Sequence, residues 1–250
     1  MSKAEWLYGI HTVTAVLNKH PERVLEIRVQ EGRDERRLDA VLTLARQLGV
    51  AVQQVNKKSM DHQFAEANHQ GLAARCRLAA ALDEHALFDL LDRLQEPPFL
   101  LILDSVTDPH NLGAVLRSAD AAGVHAVITT RDKSVGLTPV VRRVAVGAAE
   151  IMPFAQVTNL ARLLKQLQER QIWVVGTELD ATAANLYTTD LKGPLVLVMG
   201  AEGPGLRRLT REHCDQLVYI PMQGDVQSLN VSVATGVCLF EALRQRRSFS

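Results

Sequence analysis

The sequence predicts an α/β protein: a C-terminal, mostly parallel sheet flanked by helices, preceded by a smaller α/β unit. Three observations carry this. From residue 99 onward, short apolar runs alternate with helix-period segments, the pattern of strands joined by crossover helices. Residues 1–77 hold their own short strands and amphipathic helices. Between the two the composition breaks: Ala79-Ala80-Ala81, an acidic amphipathic stretch and Pro97-Pro98 follow one another. The expected organisation is therefore 1–77 as one domain, 78–98 as a partly helical linker and 99–250 as the second domain.

In the first part, residues 10–17 suit a helix, 24–29 a strand and 34–48 an amphipathic helix closed by Gly49, since glycine accepts the left-handed cap. Residues 51–55 read as a second strand and 71–78 as a third. In the second part the strand candidates are 99–103, 126–129, 172–176, 195–199 and 217–220. Asp108 and Pro109 form an N-cap followed by proline at the first helical position, and Gly123 suits that helix's end. Further helices are expected over 159–170 and from Val231 to Arg247.

Hydrophobic residues make up 47% and charged residues 22% of the 250, an ordinary globular balance with material for a sizeable core. No apolar run approaches the ~20 residues of a membrane span, and the N-terminus lacks a signal-peptide core, so a cytoplasmic protein is expected. Cys76, Cys214 and Cys238 are too scattered for a disulfide framework or a zinc spacing and read as reduced thiols. The eight histidines form no ligand pairs, so no metal site is expected. Net charge is zero, and composition alone does not announce a nucleic-acid binder. The distribution is less even: residues 1–77 carry twelve Lys/Arg against nine Asp/Glu, residues 78–99 one against five.

Three strand-to-helix transitions hold small or polar residues where an α/β sheet binds ligands, at the carboxyl ends of strands. The first contains Asn111-Leu112-Gly113 and, beside an apolar helix face, Arg117. Asn111 is either a turn residue or a site residue; Arg117 is either a surface arginine whose stem covers apolar neighbours or a functional cation. The second is Gly200-Ala201-Glu202-Gly203-Pro204-Gly205. Its glycines permit close backbone approach to a ligand, but it is neither a Walker A loop nor a dinucleotide fingerprint. Glu202 reads equally as a general base, a charge partner or a solvated carboxylate. The third is Ser228-Leu229-Asn230, where Ser228 suits the cap of the final helix. No Gly-x-Ser-x-Gly elbow surrounds it, so a hydrolase serine is unsupported.

In this order and spacing the three stretches resemble the motifs of the SpoU-type RNA 2′-O-ribose methyltransferases: Asn111-Leu112-Gly113 with Arg117, Leu197 through Gly203, and Ile220-Pro221-Met222 through Ser232. Tyr8-Gly9-Ile10-His11 and His69-Gln70-Gly71 resemble the small L30e-like substrate-binding domain of that family. Thr107 through Asn111 and Leu209 through Asp215 are similar to members that methylate a guanosine ribose in the peptidyl-transferase loop of 23S rRNA. The resemblance implies a deep trefoil knot in the C-terminal domain, S-adenosyl-L-methionine as methyl donor, 23S rRNA as partner, and a homodimer in which each subunit completes the other's site.

It also implies a catalytic cluster of Asn111, Arg117, Glu202, Ser228 and Asn230, with cofactor contacts at Gly200, Ile220 and Leu229. Glycine at 200 is expected to keep a side chain out of the cofactor's path. Arg117 either activates the ribose hydroxyl, for which a guanidinium with a pKa above ~12 is a poor base unless strongly perturbed, or, equally physically, clamps a phosphate and lowers the hydroxyl's pKa. Arg28, Arg33, Arg36, Arg37, Lys57 and Lys58 are candidate phosphate contacts, and with few aromatics extensive base stacking is not expected. The competing readings are a tRNA 2′-O-methyltransferase, a non-catalytic RNA-binding assembly factor and, more distantly, a nicotinamide-dependent enzyme.

Overall fold

The computed structural model describes residues 4–32, 38–65, 69–180, 182–201, 203, 205–225 and 228–247. The chain forms two compact units, one of Met1–Ala80 with Val146–Ile151, the other of Ala81–Ala145 with Met152–Ser250.

In the first unit, β1 (Ala4–Tyr8), α1 (Ile10–Lys19), β2 (Val24–Gln30), α2 (Asp39–Gln47), β3 (Val52–Val55), α3 (Lys57–Gln63) and β4 (Leu72–Arg77) follow in order. The sheet order is β1-β4-β2-β3, with β4 antiparallel to both neighbours and β3 parallel to β2. Alternation along the strands sorts two clusters. Ile27, Val29, Leu72, Ala74 and Cys76 pack with Val13, Val16 and Leu17 of α1 and Val41, Leu42 and Ala45 of α2. The intervening Ala73 joins Met60 and Phe64, flanked by Trp6 and Tyr8. Segment 146–151 is held to this unit by Glu150, whose buried carboxylate accepts from Arg23 Nη2 at 2.5 Å and from the Ala79 amide at 2.9 Å.

The helix expected over 34–48 is described only from Asp39. β1 and α3 were not anticipated: the first is a five-residue strand at the chain's start, and the second carries little apolar periodicity beyond the buried Met60.

The second unit opens with α4 (Glu84–Leu91), capped by Asp83, whose Leu87 and Leu91 are buried beside Leu100 and Ala155. Most of the stretch expected to connect the units is thus packed into the second, with Leu82, Phe88, Leu90 and Leu94 also against its core. There follow β5 (Phe99–Asp104), α5 (Pro109–Ala121), β6 (Ala126–Thr130), α6 (Pro139–Ala145), α7 (Ala148–Ile151, within the first unit), β7 (Phe154–Val157), α8 (Leu160–Glu169), β8 (Trp173–Thr177), β9 (Ala184–Asn185), β10 (Leu195–Gly200), α9 (Arg208–Glu212), β11 (Gln216–Tyr219) and α10 (Val231–Arg247).

These seven strands form one parallel sheet in the order β7-β6-β5-β10-β8-β11-β9. All six residues of β5 are buried, as expected for a strand covered on both faces. In α8, capped by Asn159, the buried residues Leu160, Leu163, Leu164 and Leu167 mark one helical face. Asp108 accepts from the His110 amide and Pro109 occupies the first turn of α5, as its sequence required. Among the described residues no helix is long and apolar enough to cross a membrane.

Candidate active site

Because every strand of the larger sheet runs the same way, the carboxyl ends of β5, β10, β8 and β11 share one edge. β10 is inserted between β5 and β8, though it follows both in sequence, so the chain reverses its direction of winding there. That is where an open α/β sheet leaves a crevice for ligands. A cavity of about 570 Å³ occupies the edge, within the ~300–1,000 Å³ of small-molecule sites.

Five of the eight expected site residues line this cavity: Gly200 at the end of β10, Ile220 after β11, and Ser228, Leu229 and Asn230 before α10. A sixth is bonded to them. Asn111, 8% exposed in the first turn of α5, accepts from Asn230 Nδ2 at 3.0 Å. Asn230 Oδ1 in turn accepts from the Ser232 amide at 2.9 Å and Ser232 Oγ at 2.6 Å. This assigns the amide's orientation, since only the oxygen can face a backbone N–H. The cap of α10 is therefore Asn230, not Ser228 as its sequence position suggested. The helix begins at Val231, and an exposed Ser228 is left on the cavity wall. Arg117 is exposed on α5 and is not among the residues lining the cavity. Glu202 lies outside the described residues.

Gly200 has a different reason from the one expected. A Cβ there would stand 2.3 Å from the Gly205 carbonyl carbon and 2.5 Å from the Leu206 nitrogen. The chain's own backbone needs the space: the loop folds back, with Ala201 bridged to Gly205 and the Gly205 amide donating to Ala201 O at 3.1 Å. Gly113 likewise serves packing, since its Cβ would meet Val144 Cβ of α6 at 2.6 Å.

Two carboxylates that the motifs did not single out hold the returning chain. Asp104, fully buried at the end of β5, accepts from the Arg207 amide at 3.1 Å and Arg207 Nε at 2.6 Å. Glu178, just past β8, accepts from the Leu206 amide at 3.4 Å and lines the cavity. The available signal was an acid ending or following an apolar run, as in Phe99–Asp104.

Burial pushes the Cys76, Cys214 and Cys238 thiols up to about 12, which removes them as nucleophiles at neutral pH. Among the described residues no group of three or more His, Cys, Asp or Glu side chains is placed to hold a metal ion.

Of the expected phosphate contacts in the first unit, Arg28 is engaged. Its guanidinium lies 4.9 Å from the Trp6 ring centroid and donates to Gln63 Oε1. Lys57 and Lys58 are exposed at the start of α3, and Arg33, Arg36 and Arg37 lie outside the described residues.

Known proteins share this arrangement. Residues 98–240 match the model of the SpoU rRNA Methylase family, and residues 6–81 match that of RNA 2′-O ribose methyltransferase substrate-binding domains. The chain belongs to the SpoU rRNA methylase family. A Pseudomonas putida protein named 23S rRNA (guanosine-2′-O-)-methyltransferase RlmB is 57% identical over 247 residues, 99% of each chain. Its namesake from Shewanella oneidensis is 55% identical over 248 residues, 99% of this chain and 100% of that one. Among solved structures, an AdoMet-bound rRNA methyltransferase from Sinorhizobium meliloti is 26% identical, with a TM-score of 0.71 over 96% of this chain and 87% of its own.

Proposed function

We propose that this chain transfers the methyl group of S-adenosyl-L-methionine to the 2′-hydroxyl of a guanosine ribose in the peptidyl-transferase loop of 23S rRNA. The observation that carries the reading is the Asn111–Asn230 bridge at the wall of the strand-edge cavity. It joins the first and third sequence motifs across 119 residues of chain, beside the glycine loop that forms the second. The high identity to the two relatives named for this reaction supports the same substrate.

The cavity fits the donor. Its size suits a nucleoside with an amino-acid tail, and Gly200, Ile220 and Leu229 on its walls would hold the cofactor. S-adenosylmethionine supplies a methyl on a sulfonium, already a good electrophile. The chain's own task is to align the ribose oxygen in line with the methyl–sulfur bond and to help its proton leave. Asn230 is held by its cap bonds to Ser232 and by Asn111, so its amide arrives preorganised, and Ser228 adds a hydroxyl on the same wall. The hydroxyl proton would pass to solvent or to a base beside it.

Arg117 is assigned to the ribose or its phosphate, as activator or clamp. Its exposure on α5, off the cavity wall, supports action on RNA or at the site of a second subunit. Glu202 is assigned to orienting Arg117 or the ribose. The active species is a cytoplasmic homodimer, in keeping with an rRNA substrate and with Val233 and Phe240, two exposed apolar residues seven apart on α10. The insertion of β10 between earlier strands supports a chain threaded as a trefoil knot.

The test is transfer of labelled methyl to unmodified 23S rRNA fragments, with the product nucleotide mapped. One 2′-O-methylguanosine in the peptidyl-transferase loop is the expected result. Transfer to tRNA instead reassigns the substrate, and transfer to neither refutes the catalytic reading.

A further inference from the structure

Glu178 has no role in the mechanism above, yet it is the one charged side chain among the described residues lining the cavity. The structure fixes it from both ends. Its amide donates to Val218 O of β11 at 3.0 Å. Its carboxylate lies against Gly205: a Cβ on that glycine would stand 3.0 Å from Glu178 Oε1, and the glycine's φ of +66° disfavours any side chain. The bond from the Leu206 amide is long, at 3.4 Å, whereas an ionised carboxylate offers about four acceptor sites. Glu178 lines the cavity, so that capacity is open to a ligand there.

Resting on the reading of this cavity as the S-adenosylmethionine site, we propose that the Glu178 carboxylate accepts hydrogen bonds from the vicinal diol of the cofactor's ribose. It is thus a binding and specificity residue for the donor. Three physical arguments select the diol over the donor's other polar groups. Two adjacent hydroxyls present two donors to two oxygens, the match by which carboxylates hold ribose in dinucleotide sites. A carboxylate beside the α-ammonium also faces the α-carboxylate on the same carbon, a like charge at short range. A carboxylate against the sulfonium stabilises a charge that disappears during transfer, opposing catalysis. Position agrees: β8 is two strands from β5, roughly 10 Å at the usual strand spacing of about 4.8 Å. Asn111 follows β5 and Glu178 follows β8, so the two stand apart along the sheet edge.

The experiment is calorimetric titration of the full chain and its Glu178→Ala and Glu178→Gln variants, without RNA. The ligands are S-adenosylmethionine, 5′-methylthioadenosine, which keeps the nucleoside and lacks the amino-acid tail, and 2′-deoxy-5′-methylthioadenosine. Expected is an equal weakening of the first two ligands by Glu178→Ala, about ten- to a hundredfold as for lost charge-assisted bonds. The penalty for removing the 2′-hydroxyl should be present in the native chain and absent in that variant. Glu178→Gln keeps one acceptor and the Leu206 contact and should fall between; it also serves if the alanine variant does not fold. Weakening confined to S-adenosylmethionine moves the contact to the tail and overturns the proposal. Unchanged affinities, or a deoxy penalty that survives in the variant, reduce Glu178 to a brace for Leu206. If the native chain binds none of the three ligands, the cavity assignment falls first and takes this inference with it.

Discussion

Replacing Gly200 by alanine separates two explanations of the glycine loop. If the glycine clears a path for the cofactor, the variant loses S-adenosylmethionine affinity while its ligand-free stability is unchanged. The structure gives the opposite expectation. The added Cβ meets two backbone atoms at 2.3 and 2.5 Å, against ordinary contacts of 3.4–4 Å, so one strand of chain must yield by about an ångström. Neither is free to do so. Gly200 is paired with Asp104 at the end of β10, and residues 206 and 207 are tied by their amides to Glu178 and Asp104. Overpacking of this kind costs about 1–3 kcal/mol, and loss of the Gly205–Ala201 bond adds about 1 kcal/mol. At roughly 2–4 °C per kcal/mol for a unit of this size, the ligand-free melting temperature should drop by about 5–15 °C. Calorimetry of the apo-protein, followed by titration with S-adenosylmethionine, reads both quantities. A melting point within about 2 °C of the native value, together with lost binding, would refute the backbone explanation.

Further expectations test the neighbouring residues. Asn230→Asp keeps the acceptor that caps α10 but removes the donor to Asn111, so the melting temperature should change little while methyl transfer falls about tenfold or more. A helix-cap role alone predicts no loss of turnover. Arg117→Ala, at an exposed position, should reduce turnover far more than cofactor affinity by calorimetry; equal loss of both would mark it as structural. The three thiols, raised by burial from about 9 to about 12, should resist a thiol reagent at pH 8 until denaturant is added. Because the unfolded thiols ionise first, stability should be lost as pH rises from about 9 through 12, seen as a falling urea midpoint; rapid labelling of native protein would contradict the burial.

The residues that announced themselves in the sequence were those whose chemistry is local. Asp108-Pro109 dictated a helix start, the leucines of α8 a buried face, and the apolar run of β5 a central strand. Five of the eight expected site residues meet at one cavity because parallel strands deliver their carboxyl ends to a single edge. What stayed hidden depended on partners distant in sequence. The four-residue β7 is paired with β6 and bridged to Leu82, neither of which its own composition reveals. The capping role falls to Asn230 rather than Ser228 because the helix begins at Val231, as expected, which leaves Asn230 as the residue just before it. Glycine at 200 was legible as a close approach, but what approaches it is the same chain.

The backbone contact at Gly200 also helps keep the site ready. The inner wall of the cavity is backbone that crosses itself at van der Waals limits, with Gly200 against Gly205 and Leu206. Apolar packing alone tolerates such a crossing poorly, because side chains can slide where backbone contacts are tight. Here direction comes chiefly from Asp104, at the end of β5, which takes the Arg207 amide and guanidinium, with Glu178, just past β8, in a longer contact to the Leu206 amide. A charged acceptor holding a backbone N–H is stronger and more directional than a neutral one, and the burial of Asp104 shields its bonds from water. The loop is thereby fixed before any ligand arrives, so binding need not spend energy ordering it. Asn230 repeats the device elsewhere in the cavity lining: one amide both starts α10 and reaches Asn111, which ties the first turn of α10 to that of α5.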